Sequence, residues 1–138
     1  MEKIRKTEQQ WRVELTPEQY AVTRTKATER PGSGEYLHNQ AAGVYRCVCC
    51  GNPVFNSQTK FAAHCGWPSF TAPMSAAALE EHADSSSGMQ RVEVVCAQCN
   101  AHLGHVFNDG PPPDGLRYCI NSAALKFEAA ESAEPESE

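Results

Sequence analysis

The sequence lacks the long apolar segments of a membrane protein. No stretch approaches the ~18 consecutive apolar residues of a membrane span, and the N-terminal MEKIRKTEQQW contains no apolar run that resembles a signal peptide. The seven cysteines in 138 residues fall below the ~8–10% typical of a disulfide scaffold. We therefore expect a soluble, cytoplasmic protein that has no membrane partner and whose cysteines bind metal or take part in catalysis.

The sequence also lacks an excess of basic residues. The formal net charge is −5, and residues 128–138 (EAAESAEPESE) contain five glutamates and no lysine or arginine, so the rest of the chain is neutral. A neutral body argues against nucleic-acid binding, which depends on Lys and Arg neutralising phosphates. The glutamate-rich end has the composition of a disordered acidic tail. Residues 1–127 are then predicted to form a single domain.

Short β-like segments dominate the predicted secondary structure. They cover residues 44–48, 92–95, 116–120 and 125–127, separated by turn-rich connections. Thr16 as N-cap, Pro17 at the first helical position and Gln19 at N3 predict a helix that runs to about Thr25. A second, short helix is expected over residues 75–82. The pattern predicts a mostly antiparallel β domain with an N-terminal helix.

Two C-x-x-C units give the strongest spacing signal, in CVCCG (47–51) and CAQCN (96–100). Each is followed by Gly or Asn, which tolerate the positive φ that a tight turn around a metal needs. The spacing predicts one structural zinc ion bound by four cysteines, Cys47, Cys50, Cys96 and Cys99. Cys49 does not fit the two-residue gap. Unmetallated buried thiols or a redox-active C-x-x-C are the competing interpretations.

A strand with polar and reactive side chains on one face is predicted over residues 116–121. Arg117, Cys119 and Asn121 alternate there with the apolar Leu116, Tyr118 and Ile120. A lone cysteine is also commonly a small buried hydrophobe, and the strand alone does not decide between the two roles.

The segment HLGHVFND (102–109) adds two histidines and a carboxylate. His105, Phe107 and Asp109 share a face if the segment is a strand, and Gly104 would permit a bulge that turns His102 toward the same face. The combination with the Cys119 face indicates a functional site.

These motifs together resemble the B-type methionine sulfoxide reductases, which act on the R epimer of methionine sulfoxide. The resemblance is spread over most of the chain: YLHN (36–39), both C-x-x-C units, KF (60–61), CGWPSF (65–70), HLGHVF (102–107), DGP (109–111) and RYCINS (117–122). It implies two antiparallel sheets in a small barrel-like body with a structural zinc knuckle pair.

The resemblance also implies site roles. Cys119 resembles the family nucleophile, and nearby Arg117 would favour its reactive thiolate. The polar shell around the sulfoxide oxygen would comprise His102, His105 and Asn121, with Asp109 as an orienting group. The apolar wall for the S-methyl group would comprise Trp67 and Phe107.

The implied reaction leaves a sulfenic acid on Cys119, which condenses with a second thiol to a disulfide. Cys65 is the resolving candidate, and thioredoxin would reduce the disulfide. The implied enzyme is a monomer that acts on oxidised methionine in proteins or peptides.

Two other functions are compatible with parts of the sequence. A non-catalytic zinc-ribbon interaction module leaves the Cys119 face unexplained, and a thiol-based sensor using Cys65 and Cys119 leaves Trp67 and the histidines unexplained. A zinc deaminase is excluded, because the sequence has no H-x-E and no Pro before the second C-x-x-C.

Overall fold

The computed structural model describes residues 4–85 and 90–130, which are mainly β. Two helices, α1 (Glu8–Glu14) and α2 (Pro17–Thr25), precede the strands. The strands are β1 (Gly43–Cys47), β2 (Pro53–Asn56), β3 (Lys60–Phe61), β4 (Ser69–Phe70), β5 (Leu79–Asp84), β6 (Arg91–Cys96), β7 (His102–Phe107), β8 (Arg117–Ile120) and β9 (Leu125–Ala129). Neither helix is long and apolar enough to cross a membrane.

Both helices begin with the same capping arrangement. The Thr16 hydroxyl accepts from the Gln19 backbone N–H, and the Gln19 side chain accepts from the Thr16 N–H in return. Thr7 and Gln10 repeat this box at the start of α1, which we did not predict. The predicted helix at Pro17–Thr25 is confirmed, and it ends at Lys26, whose φ of 66° is left-handed.

The strands form two antiparallel sheets, as predicted. One has the order β2-β1-β9 and the other the order β3-β4-β8-β7-β6-β5. Rings from both meet in the core: Phe55 of β2 stacks on Phe70 of β4 with centroids 4.4 Å apart, and Tyr45 of β1 meets Phe70 edge-on at 5.2 Å. No closed barrel is formed by the strand ladders of the described residues.

One predicted helix and the predicted start of the acidic tail differ from the observed structure. Residues 75–82 do not form the expected helix: a single 3-10 turn, Ala76–Ala78, leads directly into β5. The sequence LEEHAD of β5 is largely polar because it lies at the sheet edge, yet all six residues pair with β6.

Near the C-terminal end of the described residues, β9 includes Glu128 and Ala129, two residues that the composition assigns to the tail. Most of the predicted tail, residues 131–138, lies outside the described residues.

A bulge in β7 determines which side chains reach the site. Val94 of β6 pairs with Gly104, but Val95 pairs with His102, so Leu103 is an extra residue. His102 and His105, three residues apart, thereby come to the same side of the sheet with ring centroids 5.5 Å apart. Gly104 is required here, because a Cβ at this position would collide with the backbone oxygen of Cys119.

Candidate active site

Cys119 lies in a row of side chains that crosses the larger sheet. It pairs with Ser69 of β4 on one side and with His105 of β7 on the other. A small cavity of about 80 Å³ opens beside it. The residues that line the cavity are Thr28, Trp67, Arg91, Gly104, His105, Phe107, Cys119 and Asn121.

The second thiol of the site comes from the loop that precedes β4. Cys65 Sγ lies 3.4 Å from Cys119 Sγ and 3.3 Å from Ser69 Oγ. The loop is held by the Gly66 carbonyl, which accepts a 2.8 Å hydrogen bond from Gly32 N–H. Gly66 itself adopts a φ of +96° and packs closely against Pro31. The PGSG turn at residues 31–34 therefore positions Cys65.

Arg117 favours the thiolate of Cys119, but other effects on the pKa of this thiol are larger. Burial and the adjacent Cys65 raise the pKa of Cys119 to about 12, and Arg117 only partly opposes them. The pKa of Cys65 is lowered overall. Burial acts to raise it, but hydrogen bonds with Ser69, the Trp67 backbone and Cys119 act in the opposite direction and outweigh burial. The first negative charge of the pair therefore lies on Cys65.

Arg117 is already occupied by other groups. Its Nε and Nη2 donate to the two Asp109 carboxylate oxygens at 2.9 and 3.2 Å, and its guanidinium carbon lies 4.4 Å from the centre of the Phe107 ring. This ion pair lowers the pKa of Asp109. Asp109, beyond the end of β7, thus contacts Arg117, whereas we expected it to orient the polar shell.

The two histidines each pair with a carboxylate from another strand of the sheet, Glu93 on the adjacent β6 and Asp84 on β5 beyond it. His102 Nδ1 lies 2.7 Å from Glu93 Oε2, and His105 Nε2 lies 2.7 Å from Asp84 Oδ2. His102 is 3% exposed, and burial lowers its pKa. Its Nε2 has no hydrogen-bond partner within residues 4–85 and 90–130.

Asn121 follows β8 directly and is buried beside the cavity. Its Nδ2 donates to the Leu103 carbonyl at 3.1 Å, and its Oδ1 accepts from the Glu29 N–H at 2.9 Å. Because an amide nitrogen carries two hydrogens, one donor remains for a ligand. The Glu29 carbonyl also accepts from Trp67 Nε1 at 3.1 Å, so this one residue fixes both the amide and the indole.

The four cysteines predicted to bind zinc come together. Their sulfurs all lie within 4.8 Å of one another, and the pairs Cys47–Cys99 and Cys50–Cys96 are each 3.6 Å apart. A tetrahedron with Zn–S bonds of ~2.3 Å has edges of about 3.8 Å, so the sulfur set fits such an ion.

The turns around the four sulfurs have the predicted backbone. Gly51 and Asn100 have φ values of +83° and +65°, and the Gln98 N–H points to Cys96 Sγ at 3.4 Å. From α2, the Arg24 guanidinium donates to the Cys99 carbonyl at 2.9 Å. The cluster is therefore hydrogen-bonded to α2.

Comparison with known proteins is consistent with this geometry. The SelR domain profile matches residues 15–129. The chain belongs to the SelR family, the B-type methionine sulfoxide reductases. It is 58% identical over 133 residues to a peptide methionine sulfoxide reductase MsrB of Pseudomonas putida strain W619, covering 96% of this chain and 100% of the relative. It is 61% identical over 127 residues to a protein of the same name from Bradyrhizobium diazoefficiens, covering 92% and 91% of the two chains. A Hahella chejuensis protein of that name is 56% identical over 131 residues, covering 95% and 94%.

Three acidic residues of this SelR-family site were missed in the sequence analysis: Glu29, Asp84 and Glu93. Only Glu93 left a signal, since it is an acid within the otherwise apolar run VEVVC. Asp84 and Glu29 reach the site through pairing between distant segments, which local patterns do not encode.

Proposed function

We propose that this protein reduces methionine-(R)-sulfoxide in proteins and peptides to methionine, with Cys119 as the nucleophile. The observation that supports this best is the position of Cys119: its thiol lines an aromatic-walled cavity and lies 3.4 Å from the Cys65 thiol. A nucleophile, a resolving thiol and a pocket for a methyl group are the parts that sulfoxide reduction needs.

Substrate binding is assigned to the two aromatic rings of the cavity. Trp67 and Phe107 line it, and both are held by neighbours, Trp67 by the Glu29 carbonyl and Phe107 by the Arg117 guanidinium. Rings that are already fixed lose little entropy when an S-methyl group packs against them. The cavity is small, which suits a methyl group.

The first chemical step transfers oxygen from the substrate to Cys119. Cys119 Sγ forms a bond to the sulfoxide sulfur while the sulfoxide oxygen takes up a proton. The S–O bond and the new S–S bond then break as the hydroxyl passes to Cys119 Sγ, which leaves methionine and the Cys119 sulfenic acid. The departing oxygen requires a proton. His105 and Asn121, with its free donor, line the cavity, and the centre of the His102 ring lies 5.5 Å from that of the His105 ring, so these three are the candidate polar groups. Because the pKa of Cys119 is about 12, we infer that loss of the thiol proton accompanies the attack.

The second step closes a disulfide and the third reopens it. The Cys65 thiolate attacks the sulfenic sulfur of Cys119, and the hydroxyl leaves as water after taking up a proton. Thioredoxin, a dithiol reductant, then restores both thiols by exchange and is itself oxidised.

The cysteine cluster would hold zinc through Cys47, Cys50, Cys96 and Cys99. A site of four thiolates has no open position for substrate or water, so the bound ion would stabilise the fold and take no part in the reaction.

The deciding assay follows methionine production from separated R and S sulfoxide epimers with thioredoxin as reductant. We expect turnover of the R epimer, none with Cys119→Ser, and full activity with Cys49→Ser as the matched cysteine control.

A thiol-based peroxide sensor is the second candidate function, because the same thiol pair suits it. Oxidation of the pair by peroxide without turnover of either epimer would favour the sensor.

A further inference from the structure

The buried carboxylate of Glu93 has a different partner on each oxygen. Oε2 lies 2.7 Å from His102 Nδ1, and Oε1 lies 3.1 Å from the Nζ of Lys26. Glu93 and His102 are each 3% exposed, whereas the Lys26 side chain is 59% exposed at the end of α2. A buried charge persists only when it is paired, and these contacts pair it on both sides.

The contact with Glu93 decides where the neutral His102 ring carries its proton. An ionised carboxylate can only accept, so Nδ1 must be the donor, and Nε2 is left with a bare lone pair. That Nε2 is buried and has no partner among the described residues. Nε2 becomes a donor only when the ring takes up a second proton. The resulting imidazolium is the form of His102 that can protonate a sulfoxide oxygen.

The groups that face His102 act on its protonation in opposite directions. Burial favours the neutral ring, Glu93 from β6 favours the imidazolium, and His105 from β7 and Lys26 from α2 disfavour it. We propose that Glu93 is a positioning residue, which fixes the Nδ1–H tautomer of His102, and that Lys26 sets the proton affinity of His102 through Glu93. The role of this proton in turnover rests on the function proposed above, but the tautomer and the coupling do not.

Removal of the charge on Glu93 and removal of the charge on Lys26 should have opposite effects on the protonation of His102. In Glu93→Gln, the amide oxygen can still accept from Nδ1–H, but the charge is lost, so the imidazolium is less favoured. In Lys26→Met, the Glu93 carboxylate loses its competing partner, so the imidazolium is more favoured. A purely structural role for the pair would shift both variants the same way.

The test is the pH titration of the His102 ring nitrogens by NMR in the full-length protein, alongside the pH profile of kcat. We expect an Nδ1–H tautomer in the wild type, a downward shift of the titration midpoint in Glu93→Gln, and an upward shift in Lys26→Met. Because Lys26 is largely exposed, its shift should be the smaller and should shrink at high salt. Lys26→Arg should restore the wild-type midpoint.

We expect the kcat of Glu93→Gln to fall about tenfold or more at neutral pH. The alkaline limb of its kcat profile should move in the same direction as the NMR midpoint. An Nε2–H tautomer in the wild type, or shifts of the same sign in the two variants, would overturn the proposal. If Glu93→Gln does not fold, the wild-type tautomer and the Lys26→Met midpoint decide. An inactive wild-type protein with the expected titrations would instead disprove only the proposed function.

Discussion

Cys65 Sγ and Cys119 Sγ are 3.4 Å apart, although 54 residues separate them in the chain. A disulfide bond is ~2.05 Å long, so the pair can be joined by a small movement of the Cys65 loop.

Replacement of Cys65 should stop the proposed cycle after one turn. Cys65→Ser leaves the nucleophile in place but removes the thiol that attacks the sulfenic acid, so we expect about one methionine per enzyme followed by slow turnover with thioredoxin. Dimedone labelling and mass spectrometry should then find an adduct on Cys119 that is scarce in the wild type. Cycling of the variant at the wild-type rate would show that Cys65 does not resolve the intermediate.

The same substitution should lower the pKa of Cys119. Burial and the charge on Cys65 raise that pKa to about 12 in the reduced wild type. Removal of the like charge leaves burial opposed by Arg117, so the thiolate fraction at a given alkaline pH should rise. The pH dependence of Cys119 alkylation by iodoacetamide, resolved by mass spectrometry, measures this. An unchanged midpoint would mean that burial alone sets the pKa.

The cysteine cluster should bind one zinc ion that stabilises the fold. Cys50→Ser removes one of four sulfurs and should lose most of the metal and several kcal/mol of stability, whereas Cys49→Ser should keep a full complement. Elemental analysis and thermal unfolding of the two variants provide the comparison. A full complement in Cys50→Ser with loss in Cys49→Ser would reverse the ligand assignment.

Asn121→Ala should impair both chemistry and stability. The variant loses hydrogen bonds to Leu103 and Glu29, which should cost about 1–3 kcal/mol. It also loses a donor beside the sulfoxide oxygen, for which we expect kcat/KM to fall roughly 10²-fold.

Asn39→Ala is the matched control for Asn121→Ala, since Asn39 donates to the Tyr45 hydroxyl at 2.8 Å and does not line the cavity. For Asn39→Ala, chemical unfolding should show a loss of stability, whereas steady-state kinetics should show an unchanged kcat/KM. Equal kcat/KM values for the two variants would assign Asn121 a structural role only.

Local sequence patterns predicted those features that depend on neighbours in the chain. The Thr16 cap, the two C-x-x-C turns and the alternation around Cys119 each follow from the conformations of a few consecutive residues. The predicted bulge at Gly104 also formed, because only glycine allows β7 to approach the Cys119 backbone so closely.

Features that depend on pairing between distant segments were not predictable from one sequence. β5 is polar because it is an edge strand, and its register with β6 brings Asp84 to Arg91 and His105. The pKa of Cys119 also depends on burial and on the thiol of Cys65, which the sequence does not show, whereas Arg117 is visible two residues away.

The C-terminal end of α2 contacts both the cysteine cluster and the buried Glu93. Arg24 donates to the Cys99 carbonyl in the cysteine cluster, and two residues later Lys26 pairs with Glu93, the partner of His102. Removal of the proposed zinc ion should therefore loosen a single cooperative unit that includes His102 and His105, visible as faster amide hydrogen exchange in α2 and β6. Inhibition of this enzyme by a chelator would accordingly report local unfolding, and it would not be a sign that a metal takes part in catalysis.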